Sequence, residues 1–303
     1  MTNHVLEIDD LDPVRFTRVL DAAVAWKHEP ADVPPVLSGR SVAALFQKPS
    51  ARTRISIESA VSSLGGHPIY LRDEDVHLDT RESVEDVTRT MASMCALVAA
   101  RVFDHHLLER MCAVSRVPVV NLLSDRAHPC QALADFLTIR EHFGAVEGRR
   151  IAYVGDGNNV TASLAFATAL SGAELVVASP EGYELDGDVV DRARNLGGSV
   201  ELTGDAYEAV RGADVVYSDV WVSMGQEAER EQRLRAFEGW TIDAALMKAA
   251  GEDAVFMHCL PAHRGEEVTA EVIDGPQSVV WQQAGNRMDS VRALIVELLE
   301  GQV

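Results

Sequence analysis

The chain alternates short apolar runs with segments of helical periodicity. Val42 to Phe46 is an uninterrupted apolar run, the pattern of a buried strand, and Arg54 to Leu64 follows with Ile55, Ile57, Ala60, Val61 and Leu64 at helical spacing. Upstream, Asp10 to Trp26 places Val14, Phe16, Val19, Leu20 and Ala23 on one helical face, with Asp12 and Pro13 suited to its start. Downstream, a strand at His67 to Leu71 leads into an acidic loop, Asp73 to Asp79, that contains His77. Then come a helix at Ser83 to Met94, a strand at Ala96 to Phe103, a helix at Leu107 to Val114, a strand at Val117 to Leu123 and a helix at His128 to Phe143. Strand and helix in alternation predict a parallel sheet.

Gly144 to Arg150 reads as a boundary, and a second alternating series follows it. Strands are expected at Arg150 to Val154, Leu175 to Ala178, Ser199 to Leu202, Val215 to Asp219 and Val255 to Leu260. Helices are expected at Val160 to Leu170, Asp188 to Leu196, Tyr207 to Val210 and finally Ser290 to Leu299, with Gln226 to Arg235 a charged helix or loop. The fold class is therefore α/β, two Rossmann-like halves that each carry a mainly parallel sheet flanked by helices. The active site is expected in the cleft between them, at the carboxyl ends of the strands.

Composition narrows the picture. A chain of 303 residues suits two α/β domains. The formal charge of -20 argues against nucleic acid and anionic membranes as partners, and no apolar run approaches the roughly 20 residues of a membrane span. The polar, acidic Met1 to Asp10 does not read as a signal peptide. Cys95, Cys112, Cys130 and Cys259 lack metal-ligand spacing and are expected as reduced thiols in a cytoplasm. The charge also bears on chemistry: an anionic substrate needs a local positive island.

Ser50 to Thr53 falls where the first strand ends and a helix begins. Unpaired backbone N–H groups and the positive end of the helix dipole meet there, so Ser50, Arg52 and Thr53 suit a phosphate, although a basic surface turn fits the same residues. Arg52 and Arg54 lie about 200° apart on the helix, which assigns Arg52 to the anion and Arg54 to a structural ion pair. Arg101 ends an apolar strand and is either a ligand at its carboxyl edge or an ordinary edge arginine. In His128-Pro129-Cys130-Gln131, Pro129 fits the first helical position, so His128 and Gln131 face one point. They either polarise a carbonyl or close a capping box.

Gly155-Asp156-Gly157-Asn158-Asn159 begins like a dinucleotide-binding turn, but Val160 stands where the third glycine belongs. Asn158 and Asn159 are free to meet a small polar ligand instead. Asp219, followed by Ser223-Met224-Gly225, either grips an amino acid or forms an Asx-type turn. Cys259, beside His258, is a nucleophile, a partner for an amine, or inert packing. Arg287 in Gly285-Asn286-Arg287 either reaches the site or simply opens the last helix.

Taken in order, Ser50-Ala51-Arg52-Thr53-Arg54, His128-Pro129-Cys130-Gln131, Asp219 with Ser223-Met224-Gly225, and His258-Cys259-Leu260-Pro261 resemble the motifs of the aspartate/ornithine carbamoyltransferase family over essentially the whole chain. The Ser-Met-Gly and His-Cys-Leu-Pro segments point to its ornithine branch. The resemblance implies a carbamoyl phosphate-binding domain over 1–145, with a C-terminal helix 288–303 packing back onto it, and an ornithine-binding domain over 146–287. It implies transfer of the carbamoyl group of carbamoyl phosphate to the δ-amine of L-ornithine, giving citrulline and phosphate, with no metal or organic cofactor. It implies homotrimers or assemblies of trimers with sites at subunit boundaries.

By the same resemblance, Ser50, Ala51 through its backbone, Arg52 and Thr53 would hold the phosphate, helped by His77 from a neighbouring subunit. Arg101 would bridge phosphate and carbonyl, His128, Gln131 and the Leu260 carbonyl would address the carbamoyl group, and Arg287 would close on it. Asn159, Asp219, Ser223, Met224 and Cys259 would bind ornithine, with Arg101, His128, Asp219 and Cys259 closest to the chemistry. Two positions depart from the family pattern. Ala51 replaces a threonine, and Gly285 stands where an acid usually precedes Asn-Arg, a change expected to loosen the segment that aims Arg287. Two alternatives stay within the scaffold, carbamoylation of another amine and a non-catalytic binding protein. A nicotinamide-dependent oxidoreductase is disfavoured by the incomplete glycine turn.

Overall fold

The computed structural model describes residues 4–223 and 225–300. These residues form two compact units, 4–137 with 285–300, and 138–223 with 225–284.

In the first unit, α1 (Pro13–His28) starts where the Asp12 carboxylate accepts the Arg15 N–H at 2.8 Å, with Pro13 in the first turn. There follow β1 (Ser41–Phe46), α2 (Ala51–Ser63), β2 (His67–Arg72), α3 (Asp73–Val76), α4 (Val84–Met94), β3 (Leu97–Arg101), α5 (His105–Val114), β4 (Val119–Leu123) and α6 (Pro129–Phe143). The sheet order is β2-β1-β3-β4, and every neighbouring pair is parallel. Ala43, Leu45, Val98, Ala100 and Val119 form a core with Val84, Val87 and Met91 of α4 and Leu108 and Met111 of α5. The register sets Phe46 opposite both Arg72 and Arg101, so three neighbouring strands end level with one another. Ser50 and Arg101 are thereby brought to one edge.

The second unit repeats the design. It contains β5 (Arg150–Val154), α7 (Asn159–Ser171), β6 (Glu174–Ala178), α8 (Gly187–Asn195), β7 (Ser199–Thr203), α9 (Ala206–Val210), β8 (Val215–Ser218), α10 (Arg230–Ala236), α11 (Ala244–Ala250), β9 (Val255–His258) and α12 (Ala270–Ile273). Its sheet, β7-β6-β5-β8-β9, is also parallel throughout. Ala152, Val154, Val216 and Phe256 pack with Ile242, Leu246, Met247, Val268 and Val272. Asp156, Asp219 and Cys259 each lie just past the carboxyl end of one of three adjacent strands, β5, β8 and β9. No helix among the described residues is long and apolar enough to cross a membrane.

Two expectations change. The last helix, α13 (Val280–Glu300), begins ten residues before the expected Ser290. Gly285-Asn286-Arg287 therefore lies inside a helix and does not form a loose lead-in. The physical reason is that the buried stripe of its first half is polar, with Gln283, Asn286, Arg287 and Ser290 all buried. Apolar periodicity does not register such a face. The acidic segment expected as a loop contains the short α3.

Candidate functional site

The first unit builds a cationic pocket at the start of α2. Ser50 is the N-cap: its hydroxyl accepts the Thr53 N–H at 3.4 Å and contacts the Thr53 hydroxyl at 3.1 Å. Ala51 and Arg52 occupy the first two helical positions, where the backbone N–H groups have no intrahelical acceptor. Ala51 keeps that N–H, so the missing threonine hydroxyl does not remove the backbone donor.

Two buried arginines converge on Thr53. Its hydroxyl lies 3.5 Å from Arg101 Nη1 and 3.4 Å from Arg287 Nη2. Arg287 also donates through Nη1 to Gln131 Oε1 and lies 3.4 Å from His128 Nε2. Arg54 points elsewhere: it pairs with Glu58 at 2.8 Å and stacks on Tyr70 at 3.9 Å. The pocket thus concentrates positive charge on a chain whose net charge is -20, which is what a phosphate dianion requires.

His128 is buried, and its pKa is held well below the ordinary imidazole value. Burial is the main cause, and the positive charges of Arg287, Arg101 and Arg52 add to it. The ring is therefore neutral at pH 7. A guanidinium can only donate, so the contact with Arg287 makes Nε2 the acceptor and leaves the proton on Nδ1.

The second unit gathers a different chemistry. Asp219 Oδ1 accepts the Val220 N–H at 2.7 Å and the Cys259 thiol at 2.7 Å, and Oδ2 accepts the Asn158 amide at 2.9 Å. The carboxylate is buried and aimed by three donors. It retains lone-pair capacity for a ligand ammonium. Asn158 also caps α7, accepting the Val160 N–H at 2.9 Å. Behind Cys259, His258 Nδ1 accepts the Leu260 N–H at 2.8 Å, and Nε2 lies 3.3 Å from the buried Glu267 carboxylate. Leu260 has φ 59° and is joined to Pro261 by a cis peptide bond.

Donor atoms of Asp219, His258 and Cys259 lie within 4.8 Å of one another, as do those of His263, Glu266 and Glu267, so both groups have the composition of metal ligands. In the first group the thiol is bonded to the carboxylate, and both imidazole nitrogens face protein partners. In the second, Glu266 is held by Arg230 and Glu267 accepts the His263 N–H. Both read as hydrogen-bond networks.

Arg233 ties the loop after β8 to the turn after β5. It is buried, donates to the Trp221 carbonyl at 3.1 Å, and pairs with Asp156 at 3.0 Å and Glu229 at 3.0 Å. Trp221 stacks on Phe237 with ring centroids 5.3 Å apart. Burial pushes the Asp156 carboxyl up to about 6, against the pull of Arg233.

Of the residues named from the sequence, Ser50, Thr53, Arg101, His128, Gln131 and Arg287 make one connected network, and Asp219 and Cys259 make another. Ser223 sits on the loop after β8, with its N–H bonded to Gln226 at 3.0 Å. Met224 lies outside the described residues. His77 is exposed, in a left-handed conformation at the end of α3. Asn159 is the first residue of α7, whereas the asparagine bonded to Asp219 is its neighbour Asn158. Asp135, Arg233 and Glu267 join these surroundings without belonging to any sequence motif. Only Asp135, one helical turn after Gln131, left a readable signal in its spacing.

With the fold and site in view, the comparisons with known proteins define the class. Residues 3–141 match the aspartate/ornithine carbamoyltransferase carbamoyl-P binding domain, and residues 147–298 match the Asp/Orn binding domain. The chain belongs to the aspartate/ornithine carbamoyltransferase family. Within it, the chain is 48% identical over 290 residues to the ornithine carbamoyltransferase of Methanoculleus marisnigri, covering 96% of this chain and 91% of that one. It is 49% identical over 270 residues to the anabolic ornithine carbamoyltransferase of Pyrococcus furiosus, covering 88% of this chain and 86% of that one. The solved Pyrococcus furiosus structure superposes with a TM-score of 0.94 at 45% identity, covering 99% and 98% of the two chains.

Proposed function

We propose that the chain is an enzyme that transfers the carbamoyl group of carbamoyl phosphate to the δ-amine of L-ornithine, yielding citrulline and phosphate. The observation that carries this reading is the division of labour between the two networks. One is cationic, built from Arg52, Arg101 and Arg287 around the N-terminus of α2. The other is an aimed carboxylate with a thiol, Asp219 with Cys259. The first suits a phosphate dianion and the second an amino acid that carries an ammonium group.

Ser50, Arg52, Thr53 and the backbone N–H of Ala51 hold the phosphate. Arg101 and Arg287 neutralise it, and His128, Gln131 and the Leu260 carbonyl address the carbamoyl group. Asp219 receives the α-ammonium, Asn158 or Asn159 and the Ser223-Met224-Gly225 loop take the remaining polar groups, and Cys259 lies beside the δ-amine. The amine must attack uncharged. With a free pKa of about 10.4, its deprotonation at pH 7 costs on the order of 4 to 5 kcal/mol. Nearby positive charge and exclusion of water reduce that cost. Attack on the carbamoyl carbon pushes its π electrons onto oxygen. The resulting oxyanion is met by Arg101 and the Thr53 hydroxyl, with the neutral His128 beside them. Collapse breaks the C–O bond to phosphate, and the departing dianion leaves into the arginine cluster. The proton lost by the attacking amine passes to the phosphate oxygen as the C–O bond breaks, which is what makes the departing phosphate a dianion.

A trimer, or an assembly of trimers, fits the exposed His77, which would reach a neighbour's phosphate, and a cytoplasmic setting fits the reduced thiols. The test is product formation from carbamoyl phosphate against ornithine, lysine, putrescine, N-acetylornithine and aspartate. Citrulline from ornithine alone is expected. Turnover of a different amine would retain the carbamoyl phosphate pocket and overturn the ornithine assignment.

A further inference from the structure

Gln131 and Asp135 are buried one turn apart on α6, and the Gln131 amide nitrogen donates to Asp135 Oδ1 at 2.7 Å. On the other side, the amide oxygen accepts from Arg287. A carboxylate oxygen accepts, and a guanidinium can only donate. The two neighbours therefore demand the same amide orientation, nitrogen to Asp135 and oxygen to Arg287, and the reverse orientation would set donor against donor at Arg287. Gln131 Oε1 is consequently held as an acceptor in a pocket otherwise rich in donors: Arg52, Arg101, Arg287, the Thr53 hydroxyl and the N–H groups of α2.

We infer that Asp135 is a positioning residue for selectivity: by fixing the Gln131 amide, it makes the pocket prefer a phosphate that carries a carbamoyl NH2 over inorganic phosphate. The inference rests on the assignment of carbamoyl phosphate to this pocket and deepens it. The donors alone hold any phosphate. The amide oxygen keeps a second lone pair beyond the one Arg287 takes. Carbamoyl phosphate meets it with an N–H three bonds from phosphorus, a reach that the P–O–H of inorganic phosphate, on an oxygen of the phosphate itself, does not have. Asp135 touches neither ligand and acts on them through Gln131.

The test is calorimetric binding of phosphonoacetamide, a stable compound with the same amide and a phosphonate, and of inorganic phosphate, to the full-length protein. In Asp135→Ala and the volume-preserving Asp135→Leu, affinity for phosphonoacetamide should fall about tenfold, the worth of one well-placed hydrogen bond, while affinity for inorganic phosphate stays near wild type. Gln131→Ala should show the same split, and the Asp135→Ala/Gln131→Ala double variant should be no worse than either single one. Asp135→Asn keeps an acceptor and folds with least disturbance, so it should retain the preference. Equal weakening of both ligands would mark Asp135 as merely structural and overturn the inference. So would additive losses in the double variant, or an Asp135→Asn variant as unselective as Asp135→Ala. If the wild-type protein itself binds phosphonoacetamide no better than phosphate, the assignment of carbamoyl phosphate falls and the inference with it. That outcome is distinct from failure of the variants. The identity of the amine substrate does not enter any of these measurements.

Discussion

Cys259 Sγ lies 2.7 Å from Asp219 Oδ1, so the half-buried thiol is bonded to the carboxylate that Asn158 and Val220 also hold. The thiol is a donor to an aimed acceptor, and the pair acts as one unit.

This coupling predicts a graded response at Cys259. Cys259→Ser preserves a donor and should retain more activity than Cys259→Ala, which should lose about tenfold or more in kcat/KM for ornithine. Asp219→Ala should raise the KM for ornithine with little change in that for carbamoyl phosphate. Initial-rate kinetics with each substrate varied in turn reads both effects, and equal damage to the two KM values would contradict the assignment.

Thiol modification at Cys259 should depend on Asp219. Burial pushes Cys130 up to about 11 and Cys112 up to about 12, and it also raises Cys95, so none of the three is a ready thiolate near neutral pH. Cys259 donates its proton to the Asp219 carboxylate and is also held as a thiol, so iodoacetamide should label it faster in Asp219→Asn than in wild type, and ornithine should slow the wild-type labelling. Peptide mapping by mass spectrometry decides it.

The neutral state of His128 has a signed consequence for stability. Its folded pKa is depressed, so the unfolded chain binds the proton more readily. Its contribution to stability is present above the ordinary imidazole pKa near 6.5 and is lost as pH falls below it. His128→Gln should remove that share of the acid sensitivity. Thermal melts of both proteins between pH 7.5 and 5.5 (about one unit either side of the ordinary value) would show wild type losing stability faster on acidification.

Asp156 titrates with the opposite sign. Its folded pKa rises to about 6, so the folded state holds its proton longer than the unfolded chain. Stability from this group is greatest at low pH and declines as pH rises through the interval from the ordinary aspartate value, about 3.9, to about 6. Relative to wild type, Asp156→Asn should gain stability across that interval. Arg233→Ala leaves Asp156 buried without this ion pair and should cost about 3–5 kcal/mol in chemical denaturation. It should also raise the KM for ornithine, because the Trp221 carbonyl that anchors the loop loses its donor.

Gly285 lies inside α13, and an added Cβ there would meet no atom within 4 Å. Gly285→Ala should therefore stabilise the protein by about 0.5–1 kcal/mol, the usual helix-interior difference. A raised melting temperature with unchanged KM for carbamoyl phosphate would show that the glycine does not misaim Arg287.

The sequence alone determined what depends on near neighbours in the chain. Alternating strands and helices follow from local apolar periodicity. The Asp12 cap follows from residue chemistry, and the turning of Arg54 to a structural ion pair follows from helical geometry. The Arg54–Glu58 pair is one turn long and needed no tertiary information. The tertiary structure decided whatever depends on burial and on partners distant in sequence. The first half of α13 was invisible because its buried stripe is polar: Asn286 accepts from Lys27 at 2.6 Å, and Arg287 reaches Gln131 and Thr53. The choice of Asn158 over Asn159 beside Asp219 depends on which side chain caps α7 while facing β8, a matter of packing and not of spacing. Arg233 lies among ordinary charged residues in the sequence, and only its burial against Asp156 and Trp221 distinguishes it. The neutrality of His128 depends on desolvation and three arginines brought close by the fold, and no tetrapeptide encodes that. Periodicity reports which face of an element is apolar. Which polar groups are buried, and against what, is settled only when distant strands and helices meet.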